Sequence, residues 1–515
     1  MTDRSEENET LACSSTTGPP VNLAIDPFDA AIVLVYTAAT VALGVWLARG
    51  QRTSADYFLG GRNLPGWAVL LSTVATETST VTFLSIPGAA YAAQGDLRFL
   101  QITFGYILGR LVTAAVLLPL YFRGQPFTAY EVLESRFGMP VRRVASILFL
   151  VTRNLSDGLR LFLTALVLEV ALGLDFTTCV IVLGLVTIVY TFLGGVKSVI
   201  WNDCLQFVVY LSGAGAALWV IIHRLPGGTD AFWQYANDHQ KLRVFDWQWS
   251  FTKPSMTFWA GLIGGGFLTA ATHGTDQLMV QRFLAARSQW AASWALVASG
   301  VVVCLQFALF LLIGVGLAAF YESFPPDEPF GPSDGDRVFA YFIVHHLGRG
   351  LVGLTLAAVF AAAMSTLSSS LNSSATALVN DLWTALPGEP LNEAQRLRWG
   401  RIATVAFGLL QVAIALASHQ LGAATSVVKQ VLAIAGFATG PTLGVYLLAV
   451  GLPRVGQRAA LVGLVGGIVL LALIAKGIPL LWPAYSIYWP WYAAVGALLT
   501  LTLGWLFHVL FESHR

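Results

Sequence analysis

Apolar runs of about 20 residues, the length that crosses a bilayer as a helix, recur along this chain from residue 28 to residue 511, separated by short polar connections. They predict thirteen spans, near 28–48, 66–94, 98–121, 144–172, 176–194, 199–223, 255–285, 292–320, 352–382, 402–420, 424–449, 458–476 and 490–511. Two of them are irregular. The stretch Gly66 to Gly95 carries Ser72, Thr73, Thr76, Glu77, Thr78, Ser79, Thr80 and Thr82 in its middle, followed by Pro87 and Gly88. In hydrocarbon each unsatisfied polar group costs several kcal/mol, so this block must face other helices, a cavity or an ion. It reads as a discontinuous helix, loosened further by the Pro-Gly step. The second irregular stretch, Phe258 to Arg282, contains Gly264, Gly265 and Gly266, which favour an unwound turn because glycine weakens a helix by ~1 kcal/mol relative to alanine. It comes five spans after the first. Since five is odd, blocks 66–223 and 255–449 enter the membrane from opposite sides and form an inverted pair of repeats, leaving 458–511 as two peripheral C-terminal helices.

Composition places this pattern in one class. With 515 residues, 56% hydrophobic, 11% charged and a mean hydropathy of +0.69, the chain is an all-α polytopic membrane protein. A net charge of +1 gives no electrostatic reason to expect a nucleic-acid partner, and no obligate protein partner is evident. Cys13, Cys179, Cys204 and Cys304 lie far apart, with neither disulfide nor metal spacing, and read as packing residues. Residues 1–26 are polar and acidic without a basic n-region, which predicts a disordered extracytoplasmic lead-in to a transporter domain over 27–511. Basic residues fill alternate connections: Arg49, Arg52 and Arg62; Arg123, Arg136, Arg142 and Arg143; Lys197; Arg282 and Arg287; Arg396, Arg398 and Arg401; Arg454 and Arg458. Those connections are expected in the cytoplasm, the N-terminus outside and the tail inside, a multi-pass arrangement in the cell membrane with the lipid bilayer as its solvent. Trp482, Tyr485, Tyr488, Trp489, Trp491 and Tyr492 form an expected outer aromatic belt, and the long outer loops 224–254 and 321–351 are placed to cover an entrance.

Charged and polar groups inside the spans are functional candidates by default. Converging on the midplane are Ser79, Thr82, Thr272, His273 and Gln306, together with Arg153, Asp157 and Arg160 at spacing i, i+4 and i+7 on one helix face. Asp157 pairs with either arginine, and a remaining free guanidinium would present a bidentate fork to a carboxylate. The same spacing also suits a purely structural Arg-Asp-Arg triad. Glu77 has three roles open to it: binding an amine of a solute, capping a helix end, or pairing with an arginine. His273 reads as a hydrogen-bonding wall residue, with a proton relay as the alternative. Nothing resembles a nucleophile with its base, a phosphate loop or a metal cluster, so no enzyme is expected.

Six stretches resemble one family: Asp56–Arg62 (DYFLGGR), Thr128–Gly138 (TAYEVLESRFG), Gly194–Gln206 (GGVKSVIWNDCLQ), Gly274–Ala286 (GTDQLMVQRFLAA), Ala361–Thr376 (AAAMSTLSSSLNSSAT) and Gly436–Leu448 (GFATGPTLGVYLL). Together they are similar to the sodium:solute symporters, over roughly residues 27 to 450. The resemblance implies a LeuT-type 5+5 inverted-repeat core with two discontinuous helices, and Na+ as the coupling ion for a small polar organic solute. It also implies a sodium site from Ala75, Thr78, Ala362, Ser365 and Thr366, in keeping with sodium's preference for hard oxygen ligands and with the free carbonyls of a broken helix. Asp203, Ser368 and Ser369 match the positions of a second sodium site in some members; the alternative for Asp203 is an interfacial carboxylate paired with Lys197 or solvent. Against the sugar-carrying members, Thr272 and His273 replace an aromatic pair and Gln306 a lysine, which makes a simple hexose a poorer expectation than a carboxylate-bearing solute. Glu77 joins Ser79, Thr82, Arg153, Arg160, Thr272, His273 and Gln306 as the expected solute-binding set. The reading is a symporter driven by the sodium gradient; its rivals are a proton-coupled transporter of the same fold, a transporter-like membrane sensor and a channel.

Overall fold

The computed structural model describes residues 25–512 except 50–52, 125, 254, 327–329, 332–334, 384–390, 422–426 and 483–484. Residues 1–24 of the expected disordered lead-in, Cys13 among them, therefore lie outside the described residues, whereas Ile25 is buried and Asp26 caps the first helix. In chain order the helices of eight residues or more are α1 (Pro27–Ala48), α2 (Gly66–Glu77), α3 (Thr80–Tyr91), α4 (Leu97–Gly124), α5 (Met139–Leu172), α6 (Phe176–Arg224), α7 (Gly228–Asp238), α8 (Gly265–Thr275), α9 (Gln277–Leu284), α10 (Gln289–Ser323), α11 (Gly335–His346), α12 (Leu351–Trp383), α13 (Glu393–Gln420), α14 (Val427–Gly451), α15 (Gln457–Leu481) and α16 (Trp491–Glu512). Local chemistry sets many of their starts. Asp26 accepts from Phe28 N at 2.8 Å just before Pro27, and Asn392 with Gln395 forms a reciprocal capping box ahead of α13.

Eight of these helices are each long and apolar enough to cross a bilayer, and the bent pair α2–α3 makes a ninth. Four further predicted spans have a counterpart that the simple criterion misses for physical reasons. The 49-residue α6 holds two crossings, because Gly195 at φ 51°, ψ −163° turns the chain where only glycine fits: a Cβ there would lie 2.5 Å from the Tyr57 carbonyl. Helix α5 spans 34 residues but carries six charges, α8 and α9 are two halves of one broken crossing, and α14 contains Pro441.

Helix α12 is the centre of the molecule. Of its most apolar 18 residues 89% are buried, against 22% for α1 and 28% for each of α13, α15 and α16, whose outward faces present side chains such as Leu34, Leu409, Val469 and Leu498 to the lipid. Helix α1 is nevertheless tied to the centre. Asp29, 2% exposed, accepts through Oδ1 from Gly350 N and Gly353 N, both at 2.7 Å, and so occupies the N-terminus of α12.

Four expectations change. The break in the first irregular span is at Thr78–Ser79, and Pro87 sits inside an intact α3. In the second, Gly264–Gly266 are helical and the break is at Asp276 (φ −83°, ψ 126°). Those glycines serve packing instead: a Cβ on Gly264 would meet the Pro490 carbonyl at 2.6 Å and one on Gly265 the Ile102 carbonyl at 2.7 Å. The loops 224–254 and 321–351 contain helices α7 and α11, and the aromatic belt divides, since Trp482 and Tyr485 are exposed while Trp491 and Tyr492 are buried, with the Trp491 ring tilted at 45° against Phe251, 4.6 Å between centroids.

Candidate functional site

The break between α2 and α3 releases backbone groups at the centre of the protein. In a continuous helix Ser79 N–H would go to the Ala75 carbonyl; here it donates to Glu77 O at 3.1 Å, and Thr78 leaves the helical path at φ −83°, ψ 88°. The Ala75 carbonyl thereby loses its helical donor. Facing it is the Ser/Thr-rich stretch of α12. Thr366 Oγ1 donates to Thr76 O at 3.0 Å and lies 3.5 Å from Ala362 O, which brings the broken helix and the expected sodium ligands on α12 together. Ser365 turns elsewhere, donating to Asp203 Oδ1 at 2.5 Å. Thr78 Oγ1 donates to Val74 O at 2.8 Å and accepts from Gln306 Nε2 at 2.6 Å.

Asp203 is fully buried and has no link to Lys197. Its carboxylate accepts from Ser72, Thr76 and Ser365 and pairs with Arg282 Nη2 at 3.2 Å. Arg282, expected in a cytoplasmic connection, is 3% exposed within α9; its guanidinium also donates to Ser72 (2.9 Å), Thr76 and Ser369, with Leu278 O at 2.5 Å. Ser368 and Ser369 donate to Ser365 O at 3.2 and 2.7 Å. The expected second cation site thus already holds a protein cation on two of its three members.

Beside the break lies a cavity of about 130 Å³. Glu77, Ser79, Thr82, Arg153, Arg160, Thr272 and His273 line it, opposite an apolar wall that includes Phe99, Tyr106, Leu268 and Phe307. Gln306 does not reach it, being held behind the break by Thr78 and by Tyr210, whose hydroxyl donates to Gln306 Oε1 at 3.4 Å. Neither arginine of the α5 face is free. Arg160 Nη1 pairs with Asp157, and Arg153 pairs with Asp157 at 3.6 Å and with Asp276 at 2.8 Å. Nε of Arg160, Nε of Arg153, Oδ2 of Asp157 and Nε2 of His273 nevertheless have no hydrogen-bond partner. Glu77 resolves among its three roles toward an arginine: Oε2 pairs with Arg110 Nη2, and Arg110, 0% exposed, also donates to Ser299 Oγ at 2.7 Å and Thr269 Oγ1 at 3.4 Å.

Sequence reading missed Arg110, Asp276 and the buried placement of Arg282. For Arg110 a signal existed, a lone charge inside the apolar run 98–121. Asp276 had one too, an acid directly before an amphipathic stretch, and its carboxylate does cap α9 by accepting from Leu278 N at 2.9 Å. Among the described residues no three His, Cys, Asp or Glu side chains come together as a metal-binding group.

Comparison with known proteins agrees with this architecture. The family model "Sodium:solute symporter family" matches residues 57–467. A sodium/sialic acid symporter of Aliivibrio fischeri is 29% identical over 94% of this chain and 93% of its own length, and a sodium-dependent multivitamin transporter of Oryctolagus cuniculus is 31% identical over 91% and 74%. A solved structure of a Na+-coupled sialic acid symporter, substrate-bound and outward-open, superposes with a TM-score of 0.84 at 26% identity, covering 94% of this chain and 98% of that one.

Proposed function

The chain belongs to the sodium:solute symporter family, and from that premise we propose that it carries a carboxylate-bearing solute inward, with Arg160 holding the carboxylate. Members of this family are sodium-coupled transporters rather than enzymes, the fold is the LeuT type, and the protein is a multi-pass membrane protein that takes Na+ and a solute as its substrates. The observation that carries the carboxylate reading is the Arg160 guanidinium. It is engaged by Asp157 on one side only, keeps Nε unpartnered and lines the cavity. A carboxylate there completes a charge-assisted pair that water or a neutral group completes less well. Two of the similar proteins are named for sialic acid, a carboxylated sugar, which is the same chemistry.

Sodium, in this reading, binds at the break, on the carbonyls of Ala75, Thr78 and Ala362 with the hydroxyls of Ser365 and Thr366. It holds α2 and α3 against α12, and since Glu77 and Ser79 of the same break line the cavity, an ordered break presents a completed solute site. Release on the far side follows when the ion leaves and the break relaxes. A second sodium at Asp203, Ser368 and Ser369 requires Arg282 to swing away from Asp203 and Ser369 first. The repeats span 66–223 and 255–449, with the N-terminus outside and the C-terminus cytoplasmic. Proteoliposome uptake tests the whole: a carboxylate substrate should accumulate under an inward sodium gradient and not under potassium or choline. Arg160→Gln should weaken the acid at least tenfold while leaving its neutral amide nearly unchanged, and Arg160→Lys should rescue in part. Equal loss for acid and amide, with a lowered melting temperature, would mean that the α5 charges are structural.

A further inference from the structure

The cavity has a second polar end that the carboxylate does not use. Glu77 lines the cavity, with Oε2 taken by Arg110 and Oε1 holding no hydrogen bond. Beside it His273, 2% exposed, has Nε2 without a hydrogen-bond partner, Glu77 Oε2 standing 3.7 Å away, too far to accept. Buried polar atoms are nearly always satisfied, so an orphan next to a carboxylate in a cavity wall points to a ligand group.

Hydrogen-bond directions decide which group. Arg110 Nε can only donate, so Thr269 Oγ1 accepts from it at 3.4 Å. Thr269 has no carbonyl acceptor for its own proton, unlike Thr272, whose hydroxyl donates to Leu268 O at 3.0 Å. Thr272 Oγ1 also lies 3.1 Å from His273 Nδ1 and, with its own proton spent on Leu268 O, can only accept there. A hydrogen on Nδ1, however, would leave the Thr269 proton without an acceptor; Thr269, likewise 3.1 Å away, therefore donates to Nδ1, and Nε2 carries the ring hydrogen. Side by side in the wall stand a donor, Nε2–H, and an acceptor, Oε1. A hydroxyl fits both, accepting from His273 and donating to Glu77. An ammonium would meet the Nε2–H head-on and a carboxylate whose charge Arg110 already balances; a carbonyl would leave Glu77 without a donor.

We infer that Glu77 Oε1 and His273 Nε2 together bind one hydroxyl of the solute, with Arg110 as the positioning residue that fixes both, so that the transported class is hydroxy acids rather than simple fatty or amino acids. This rests on the carboxylate reading for the opposite end of the cavity only.

The test is equilibrium binding to the purified full-length protein in sodium, using matched probes: propionate, lactate, alanine and lactamide; butyrate, 3-hydroxybutyrate and 3-aminobutyrate; hexanoate, gluconate and gluconamide. In at least one series the hydroxy acid should bind about tenfold to a hundredfold more tightly than its deoxy partner, the scale of a hydrogen bond to a charged group, and the amino acid no more tightly than the deoxy acid. Glu77→Gln strands Arg110, so the variant of choice is His273→Phe, which keeps a ring in place and should cut the hydroxyl preference to under about threefold. The wild-type panel stands alone if that variant does not fold. Indifference to the hydroxyl in every series, preference for the amino acids, a preference that survives His273→Phe, or no binding by any probe overturns the inference. Hydroxy amides binding as tightly as hydroxy acids would instead remove the carboxylate end and leave this one standing; acids preferred over amides with no effect of the hydroxyl does the reverse.

Discussion

Ser365 and Thr366 are neighbours on α12 that do different work. Thr366 touches the break through Thr76 O, whereas Ser365 gives its proton to Asp203. Thr366→Ala should therefore raise the sodium concentration for half-maximal uptake by tenfold or more, with Ser365→Ala adding to it, since losing even an outer partner of a metal site costs about 10–100-fold in affinity; an unchanged sodium dependence in the double variant would take both residues out of the site. Arg282 and Asp203 form a second residue-scale test. Removing one member of a buried pair strands the other and costs ~3–5 kcal/mol, so Arg282→Gln should lower the melting temperature and expression sharply. Adding Asp203→Asn should recover most of the loss, and additive losses in the double variant would show that the pair does not couple. This pairing was illegible in the sequence. A basic residue near the end of an apolar run reads as a membrane-surface marker, and only the packing of α9 against α2 and α12 turns Arg282 inward, toward an acid 79 positions away in the chain.

Among elements, the two broken helices were legible to different depths. The hydroxyl block located the first, because eight polar side chains in one crossing have no continuous-helix explanation, and four of them, Thr76, Glu77, Ser79 and Thr82, line the cavity. The break itself lies within that block and not at Pro87, whose ring is tolerated inside α3. In the second, three glycines drew attention away from Asp276; propensity favours loosening, but close approach to α4 uses the same residue type. The distinction is measurable. A Cβ on Gly105 of α4 would lie 2.6 Å from Gly266 N and 2.7 Å from Leu262 O, whereas one on Gly266 finds nothing nearer than Gly105 O at 3.6 Å. Gly105→Ala should force α4 and α8 apart and lower the melting temperature by several degrees. Gly266→Ala should be neutral or stabilise by roughly 0.5–1 kcal/mol through helix propensity. Equal effects would contradict the packing. Lys241 gives another element-scale prediction: its buried ammonium donates to Ala90 O (3.1 Å), Tyr91 O (3.3 Å) and Ala92 O (2.6 Å) and closes the C-terminus of α3. Lys241→Met should cost ~1–2 kcal/mol, the upper range for a cation at a helix end, read as a lower melting temperature together with faster hydrogen exchange in the last turn of α3.

For the molecule as a whole, a ligand of the native state raises stability by RT ln(1 + [L]/Kd), about 2.7 kcal/mol at a hundredfold excess over Kd. Purified protein should melt higher in sodium chloride than in choline chloride at equal ionic strength, and the difference should shrink in the Ser365→Ala, Thr366→Ala double variant; no difference in the parent protein would remove sodium as a stabilising ligand. Hydropathy alone laid out the thirteen crossings, because bilayer thickness fixes their length, but which crossings lie at the centre was set by contacts that a one-dimensional pattern does not carry. Asp29 shows the reach of such contacts. Its partners, Gly350 and Gly353, come 321 and 324 residues later, so at a synthesis rate of roughly 5–20 residues per second the ribosome works for about 15–60 s between making the acid and making the groups that satisfy it. During that interval Asp29, in the first turn of α1, has to take its hydrogen bonds from water or headgroups at the membrane surface. Arrival of α12 replaces those partners with two backbone donors, so this cap closes only when the chain's later helices are in place.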